Sequence, residues 1–350
     1  MKKSLALLSL PITEVEYRQH EGYSYSGISA FHREGPKSLI DVTKKDSAAL
    51  RRGSLIDTLL TEPNELDKRF LIADLPSISD ADRKVVEAIH MSYPTLSLND
   101  VVDKYQQGVL DLLKAHNYYN HYKDATKLNK IRELAEFHAL LVVARNRTIT
   151  SQDNYNKALK AVETLQSHPT ISKYIIGDPF NDNVELIAQP KFATKLDIAT
   201  KEGVVKHIPV RCMFDFILVL HDRKLIIPID LKTTGKPEEF FSYSFLDWMY
   251  YVQAGLYTEI LQKLITNDEY FKNFKIAEFC FIVINEDLLN PILWRVPKNI
   301  NEVLYRNGCP DYHDLLLDME WHNEKGVYDM SRQTYEGKGV RVITLPHYYK

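Results

Sequence analysis

At 350 residues, with 45% hydrophobic and 26% charged side chains, the chain is long enough for a large core and has the balance of an ordinary globular protein. Its formal charge of −3 excludes a global attraction to nucleic acid or anionic membrane, so any nucleic-acid site must be a local groove, or one that pools charge across subunits. Cys212, Cys280 and Cys309 are odd in number and widely spaced, which argues against a disulfide framework, a CxxC zinc site or a four-cysteine iron–sulfur cluster and makes a reduced, cytoplasmic setting the expectation.

The opening MKKSLALLSLPITEVEY has the lysines and apolar run of a signal peptide. Pro11 breaks that run, no small-residue cleavage site follows and the sequence turns charged, so an N-terminal strand is expected instead. No stretch approaches the length of a membrane span. GISAFHREGP (27–36) reads as a short helix closed at Gly35-Pro36, and KKDSAALRRGSLIDTLLTEP (44–63) as a helix capped by Asp46 and stopped by Pro63. From about 80 to 172 the apolar spacing is mostly helical, and LNDVVDKYQQGVLDLLKAH, LNKIRELAEFHALLVVARN and SQDNYNKALKAVETLQSHP each read as one amphipathic helix. HNYYNH (116–121) is expected to be a loop rather than a zinc site. Around 183 the period changes: VELIAQPKFATKLDIAT, KHIPVRCMFDFILVL, KLIIPIDLKTT, IAEFCFIVIN and PILWRVP read as strands, interrupted by one long helix over about 244–265. With no linker, repeat or low-complexity tract, the expectation is a single domain over 1–350 with a helical insertion at about 80–172.

MFDFILVL and LIIPIDLKT flank HDRK (221–224), a turn-like tetrapeptide. If that turn is symmetric, paired positions sum to 445, and Asp215 faces Asp230 with about 5 Å between Cβ atoms. Lys232 returns to the same face because strand side chains alternate. Two carboxylates facing each other in a core hairpin are hard to ionise together. A divalent cation removes that cost, and hard oxygen ligands suit Mg²⁺ or Mn²⁺. A neighbouring lysine can hold a water or offset developing negative charge. The competing reading is two solvated pairs, Asp230–Lys232 and Asp215–Arg211, on an exposed sheet face; Pro228 also permits a bulge that shifts the register. In the helix FLDWMYYVQAGLYTEILQKLI, the residues Leu246, Met249, Tyr250, Leu256, Tyr257, Ile260 and Leu264 form one apolar face with Gln253 in its middle. A buried glutamine needs partners for its amide. It either satisfies a core backbone group or fixes the carboxylate–lysine site, with Tyr257 one turn on.

Asp215, PIDLKTT and YYVQAGLYTEIL together resemble the PD-(D/E)XK nuclease superfamily, with its D…(D/E)xK pair and QxxxY helix. Within it they resemble the exodeoxyribonuclease VIII type of phage and prophage nucleases. ISAFHREGP, LRRGSLIDTLLTEP, FCFIVINEDLLNPILWRV and VITLPHYYK resemble segments of that family in the same order, so the likeness covers most of the chain outside 80–172. The resemblance implies an α/β, restriction-endonuclease-like core: a mixed sheet flanked by helices, with a helical insertion. It implies a Mg²⁺-dependent exonuclease that degrades linear duplex DNA 5′→3′, in the bacterial host cytoplasm if phage-encoded. The 3′ single strands would pass to a single-strand annealing partner in recombination, and the enzyme would assemble as a homo-oligomeric ring. Carried over residue by residue, Asp215, Asp230 and the Leu231 carbonyl ligate metal, Lys232 acts on the water, and Gln253 and Tyr257 support the site. Glu185, in NDNVELIAQ, sits where the family has an acidic residue ahead of the sheet. The family's G-x-x-x-H signature reads GSLID here, with Asp57 at the place of a histidine ligand. Asp57 is then either a further metal ligand or a solvated aspartate off the stripe of Leu55, Ile56, Leu59 and Leu60. The alternatives to an exonuclease are a structure-specific or single-strand endonuclease on the same core, and a catalytically silent DNA-end-binding protein.

Overall fold

In the computed structural model, which describes residues 2–41, 47–74 and 76–341, the apolar run after Met1 does not form the expected strand. Ser4 caps a 3-10 turn over Leu5–Leu8. Thr13 and Glu16 then form a capping box that starts helix α1 (Glu14–Gln19). Two backbone donors are satisfied reciprocally there, which tips a short run without clear periodicity toward helix. Helix α2 (Tyr25–Glu34) comes next and closes as expected at Gly35, whose φ of 84° suits a residue without a Cβ. Backbone contacts divide the chain into two compact units, Met1–Asp46 with Glu163–Lys350, and Ser47–Val162.

The Ser47–Val162 unit is largely helical and begins well before position 80. Its first helix, α3 (Ala48–Thr61), is capped by the Ser47 hydroxyl; Asp46, the expected cap, lies outside the described residues. After α4 (Leu66–Arg69), β1 (Phe70–Ile72) and α5 (Asp80–Ser92), two of the predicted helices are each broken in two. Residues 98–116 form α6 (Leu98–Lys104) and α7 (Gln106–Ala115), parted at Tyr105, whose ring stacks on Tyr93 at 4.8 Å. Residues 128–146 are parted between α8 (Asp124–Arg132) and α9 (Ala135–Ala144). Leu134, at that second break, packs against both apolar clusters of the unit, one around Ile89, Val101 and Leu113 and one around Val86 and Phe137. A straight helix presents a single stripe; the bend lets the segment serve two cores. β2 (Thr148–Thr150) pairs in parallel with β1, and α10 (Gln152–Ser167) leads out as the single helix expected.

The remainder of the chain is mixed α/β. After α11 (Ser172–Ile175) come β3 (Val184–Ala188), β4 (Lys191–Ala199), β5 (Val205–Met213), β6 (Phe216–Leu220) and β7 (Leu225–Thr234). Helices α12 (Phe241–Asp247) and α13 (Tyr250–Thr266) connect to β8 (Lys275–Ile276), β9 (Phe279–Asn285) and β10 (Pro291–Val296), and α14 (Ile300–Arg306), α15 (Tyr312–Lys325) and α16 (Arg332–Glu336) complete the order. The family-like ending VITLPHYYK (342–350) lies outside the described residues. The main sheet has the order β10-β9-β7-β6-β3, with β8 beside β7; β4 and β5 form a separate antiparallel ribbon. The β3–β6, β6–β7 and β9–β10 pairs are antiparallel and β7–β9 is parallel, so the sheet is mixed. β9 is buried at every position, which is why FCFIVIN reads as an uninterrupted apolar run. The three cysteines are free. No helix among the described residues is long and apolar enough to cross a membrane.

Helix α13 runs through the centre of this core. Val252, Leu256, Ile260, Leu261 and Ile265 are fully buried in the cluster shared with Phe192, Phe214 and Phe281. Gly255 sets how closely its other side is approached: a Cβ there would stand 1.9 Å from the Asn301 side-chain nitrogen and 2.9 Å from the Tyr312 ring. Gly255→Ala gains about 1 kcal/mol of helix propensity, and overpacking costs about 1–3 kcal/mol. Urea denaturation is expected to show a net loss of up to about 2 kcal/mol; an unchanged midpoint would mean that Asn301 and Tyr312 move aside freely.

Candidate active site

The β6–β7 hairpin keeps the register that a symmetric HDRK turn predicts. Leu220 pairs with Leu225 and Phe216 with Ile229, every pair summing to 445. Pro228 pairs with Ile217 without a bulge. On its other edge, β7 meets β8 at Leu225 and Ile226 and β9 only from Ile229 onward. Pro228 thus falls in the gap between the two partners, where its missing N–H leaves no ladder bond unmade.

Asp215 lies at the bend just before β6, half-buried, next to Asp230 by the same register. Its carboxylate accepts the Leu231 N–H at 2.6 Å. A strand residue directs its N–H and C=O to the same neighbour, so the Leu231 carbonyl faces the edge that carries Asp215. Asp230 is only 3% exposed. One of its oxygens accepts a hydrogen bond from the Gln253 amide at 2.5 Å. The other lies 2.5 Å from the Lys232 ammonium but out of hydrogen-bond alignment, and is fully shielded. An exposed-face ion pair is therefore not what these residues form. Arg211, the other half of that reading, donates to the carbonyls of Tyr17 and His20.

Lys232 lies 5.0 Å from the Tyr250 ring centroid and 5.8 Å from that of Phe281, with 22% of its side chain exposed. Burial alone would favour the neutral amine, but the Asp230 carboxylate, with Tyr250, Asp215 and Tyr25 behind it, raises Lys232 well above the usual lysine range. Gln253 is 3% exposed, and its amide oxygen has no hydrogen-bond partner among the described residues. Tyr257, one turn on, packs edge-on against Phe214 at 5.1 Å. Burial first, then Tyr17, Cys212, Asp230 and Asp215, holds its phenol protonated. Tyr257 is a wall of the site.

Asp215, Asp230, Leu231, Lys232, Gln253 and Tyr257 come together; Glu185 does not join them. Its register partner is Val219, four residues along β6 from Asp215, about 13 Å at strand spacing. There its carboxylate takes the Ser4 hydroxyl, the Leu5 N–H (3.2 Å) and the His221 ring (3.1 Å), pinning the N-terminal turn to the sheet. Asp57 is half-buried on α3 and belongs to the Ser47–Val162 unit. One step further along the β3 register, Gln189 takes the place beside Asp215: it is 5% exposed, and its N–H donates to the Asp215 carbonyl at 2.9 Å. The cue in the sequence is the pair Gln189-Pro190, where the strand must stop.

The long helix predicted over 244–265 is interrupted as well. Met249, buried and left-handed at φ 58°, parts α12 from α13. The Trp248 carbonyl before it accepts from Tyr25 at 2.5 Å and Ser29 at 3.3 Å, both on α2, while Arg33 stacks on the Trp248 ring at 4.6 Å. Helix α2 thereby fixes the turn from which Tyr250 and Gln253 reach Asp230 and Lys232. No known family model matches the sequence, and no curated protein matches it.

Among the described residues, no group of three or more histidine, cysteine, aspartate or glutamate side chains is arranged to hold a metal ion. What the site gathers is a smaller set made only of oxygens: Asp215, Asp230, whose shielded oxygen makes no hydrogen bond and faces the Lys232 ammonium, and the Leu231 carbonyl. That donor set fits Mg²⁺, which keeps several of its waters and takes only one or two carboxylates from a protein.

Proposed function

We propose that the chain is a metal-dependent nuclease built on a PD-(D/E)XK-type core, acting on the ends of linear duplex DNA. The observation that carries this reading is the buried Asp230 carboxylate, held between Gln253 and Lys232 and flanked by Asp215 at the end of a core hairpin. A mixed sheet in which antiparallel β3–β6–β7 is followed by a crossover through α12 and α13 to the parallel strand β9 supports this reading of the core. Asp215, Asp230 and the Leu231 carbonyl would hold Mg²⁺ or Mn²⁺, which supplies charge neutralisation at the scissile phosphate and activation of a water.

Hydrolysis joins a water oxygen to phosphorus as the bond to the neighbouring nucleotide oxygen breaks and that oxygen takes up a proton. Lys232, beside Asp230, would set its ammonium against the negative charge that develops on the phosphoryl oxygens. Gln253 fixes one Asp230 oxygen and leaves the other toward Lys232. Tyr250 covers the ammonium, limiting its access to water.

The 5′→3′ polarity, the 3′ single-strand product, a ring assembly and an annealing partner rest on the family resemblance alone. The test compares end-labelled linear duplex with covalently closed circles in Mg²⁺. Linear DNA is expected to be degraded and closed circles spared. Efficient nicking of closed circles would transfer the site to an endonuclease, and inertness toward both, with folding verified, would remove the nuclease reading.

A further inference from the structure

The turn between α7 and α8, where HNYYNH (116–121) reads as a loop, carries a stacked pair of rings. Asn117 and Tyr119 both adopt left-handed backbone, at φ 54° and 42°, a conformation seldom taken by an aromatic residue. The Tyr119 and Tyr122 rings lie 5.2 Å apart between centroids and 12° from parallel. Tyr119 is the inner ring, packed against the core around Ile89, Val101 and Leu113, with Tyr118 edge-on to it and donating to Asp82 at 2.6 Å. Tyr122 is the outer ring and is 36% exposed, with His121 edge-on to it. The Lys130 ammonium, on α8, lies 5.1 Å and 5.8 Å from the two centroids and holds the pair together. Positive charge gathers in the same place. From Lys114 to Arg132 the chain has five lysines and arginines and one carboxylate, in a protein whose net charge is −3. Lys127 pairs with Asp124 at 3.4 Å and Arg132 with Asp103, which leaves Lys114, Lys123 and Lys130 with no carboxylate partner among the described residues. Two further carboxylates border the stretch: Asp111 accepts the Gln107 amide at 3.0 Å, and Glu133 stands at the end of α8.

We infer that this turn is a binding surface for single-stranded DNA, with one base stacking on Tyr122 and the flanking phosphates meeting Lys114 and Lys123. The inference goes beyond the nuclease reading, and the surface lies in the Ser47–Val162 unit, which holds none of the residues gathered around Asp230 and Lys232. Two features select this ligand. A ring backed by a second ring is a flat, fixed platform on which any base can stack, and lysines beside it match the charge that recurs at every nucleotide. A polyanion without bases would meet the lysines and leave the ring idle. Duplex DNA offers the same phosphates but keeps its bases stacked on one another, so it too would meet only the lysines. The net charge of the chain gives no general pull on nucleic acid, so binding of this kind needs a local excess of cations such as this turn supplies.

The test measures, by fluorescence anisotropy and without divalent metal, binding of the full chain to an oligothymidylate, to an abasic strand of the same length and to a blunt duplex. Wild type is expected to bind the oligothymidylate about tenfold more tightly than the abasic strand, the scale of one stacked base. Tyr122→Ala should bring the two strands to equal affinity and leave duplex binding unchanged, while Tyr122→Phe, which keeps the ring, should keep the preference. Lys123→Ser should weaken both strands alike and lower the slope of log affinity against log salt by about 0.7, the value of one phosphate contact on a single strand. Equal wild-type affinity for the two strands, or a preference unchanged in Tyr122→Ala, overturns the inference. So does a loss of duplex binding in Tyr122→Ala as large as the loss for the oligothymidylate, or an unchanged salt slope in Lys123→Ser. None of these measurements reads cleavage, so the nuclease reading can fail while this surface stands, and this surface can fail while the nuclease reading stands.

Discussion

Lys232→Met is expected to lose cleavage and stability together, and a second substitution should return the stability without the cleavage. The ammonium is the counter-charge of a carboxylate that is 3% exposed. Removing it strands Asp230 as a buried, uncompensated anion, a change that costs about 3–5 kcal/mol. Its loss as a fixed cation at the reacting phosphate is expected to lower cleavage by about 10²–10³-fold, the scale of one preorganised electrostatic donor. Asp230→Asn alone should abolish measurable cleavage while costing less stability, because Lys232 remains partly exposed and lies close to the Tyr250 ring. In Asp230→Asn/Lys232→Met the buried charge is gone, and most of the lost stability should come back. Urea denaturation of the three variants alongside digestion of end-labelled duplex measures both effects. Near wild-type cleavage in Lys232→Met would sink the proposed role, and additive stability losses would mean that the two charges do not act as a pair.

Asp215 is expected to separate into a structural and a chemical function when two substitutions are compared. Its carboxylate accepts the Leu231 N–H, a contact that asparagine can also make through its side-chain oxygen. Asp215→Asn should therefore fold with near wild-type stability yet lose most cleavage, because one of the two anionic oxygens proposed to hold the cation becomes neutral. Asp215→Ala should lose the same cleavage and about 1 kcal/mol more stability, the net value of a hydrogen bond. Raising Mg²⁺ should recover part of the Asp215→Asn activity if weakened metal binding is the cause. Equal stability for both variants would show that the bond to Leu231 does not hold the strand end, and full activity in Asp215→Asn would remove Asp215 from the metal set.

The core of the site is legible in the sequence for two simple reasons. A four-residue turn fixes which residues of a hairpin face each other, and the two-residue period fixes which share a face, so Asp215, Asp230 and Lys232 come out of counting. Gln253 stands out as an amide inside an apolar stripe. Glu185 misleads because membership of a strand does not say which end of the sheet a residue reaches; only the pairing with Val219 does. The helix breaks at Tyr105 and Leu134 are hidden because apolar spacing continues across a bend when both halves bury similar stripes. The N-terminal turn is decided by capping hydroxyls rather than by its apolar residues. The lock on Trp248 has no local signature, since its partners are Tyr25 and Ser29, far back in the chain.

That lock has a consequence for the order of events as the protein is made. The Tyr25–Trp248 hydrogen bond spans 223 positions and encloses, in sequence, the whole Ser47–Val162 unit. Closing so long a loop adds little equilibrium cost, since the entropy grows only logarithmically with length, but contacts this distant in sequence slow folding. During synthesis, α1 and α2 emerge first and have nothing to dock on until β5, α13 and α15 have left the ribosome. The contiguous helical unit between them can meanwhile complete its own cores. For that interval Ile28 and Phe31, later buried, are exposed to solvent and to neighbouring nascent chains, the condition under which chaperones are needed. The carboxylate–lysine site thus matures late, when the last strands of the sheet arrive.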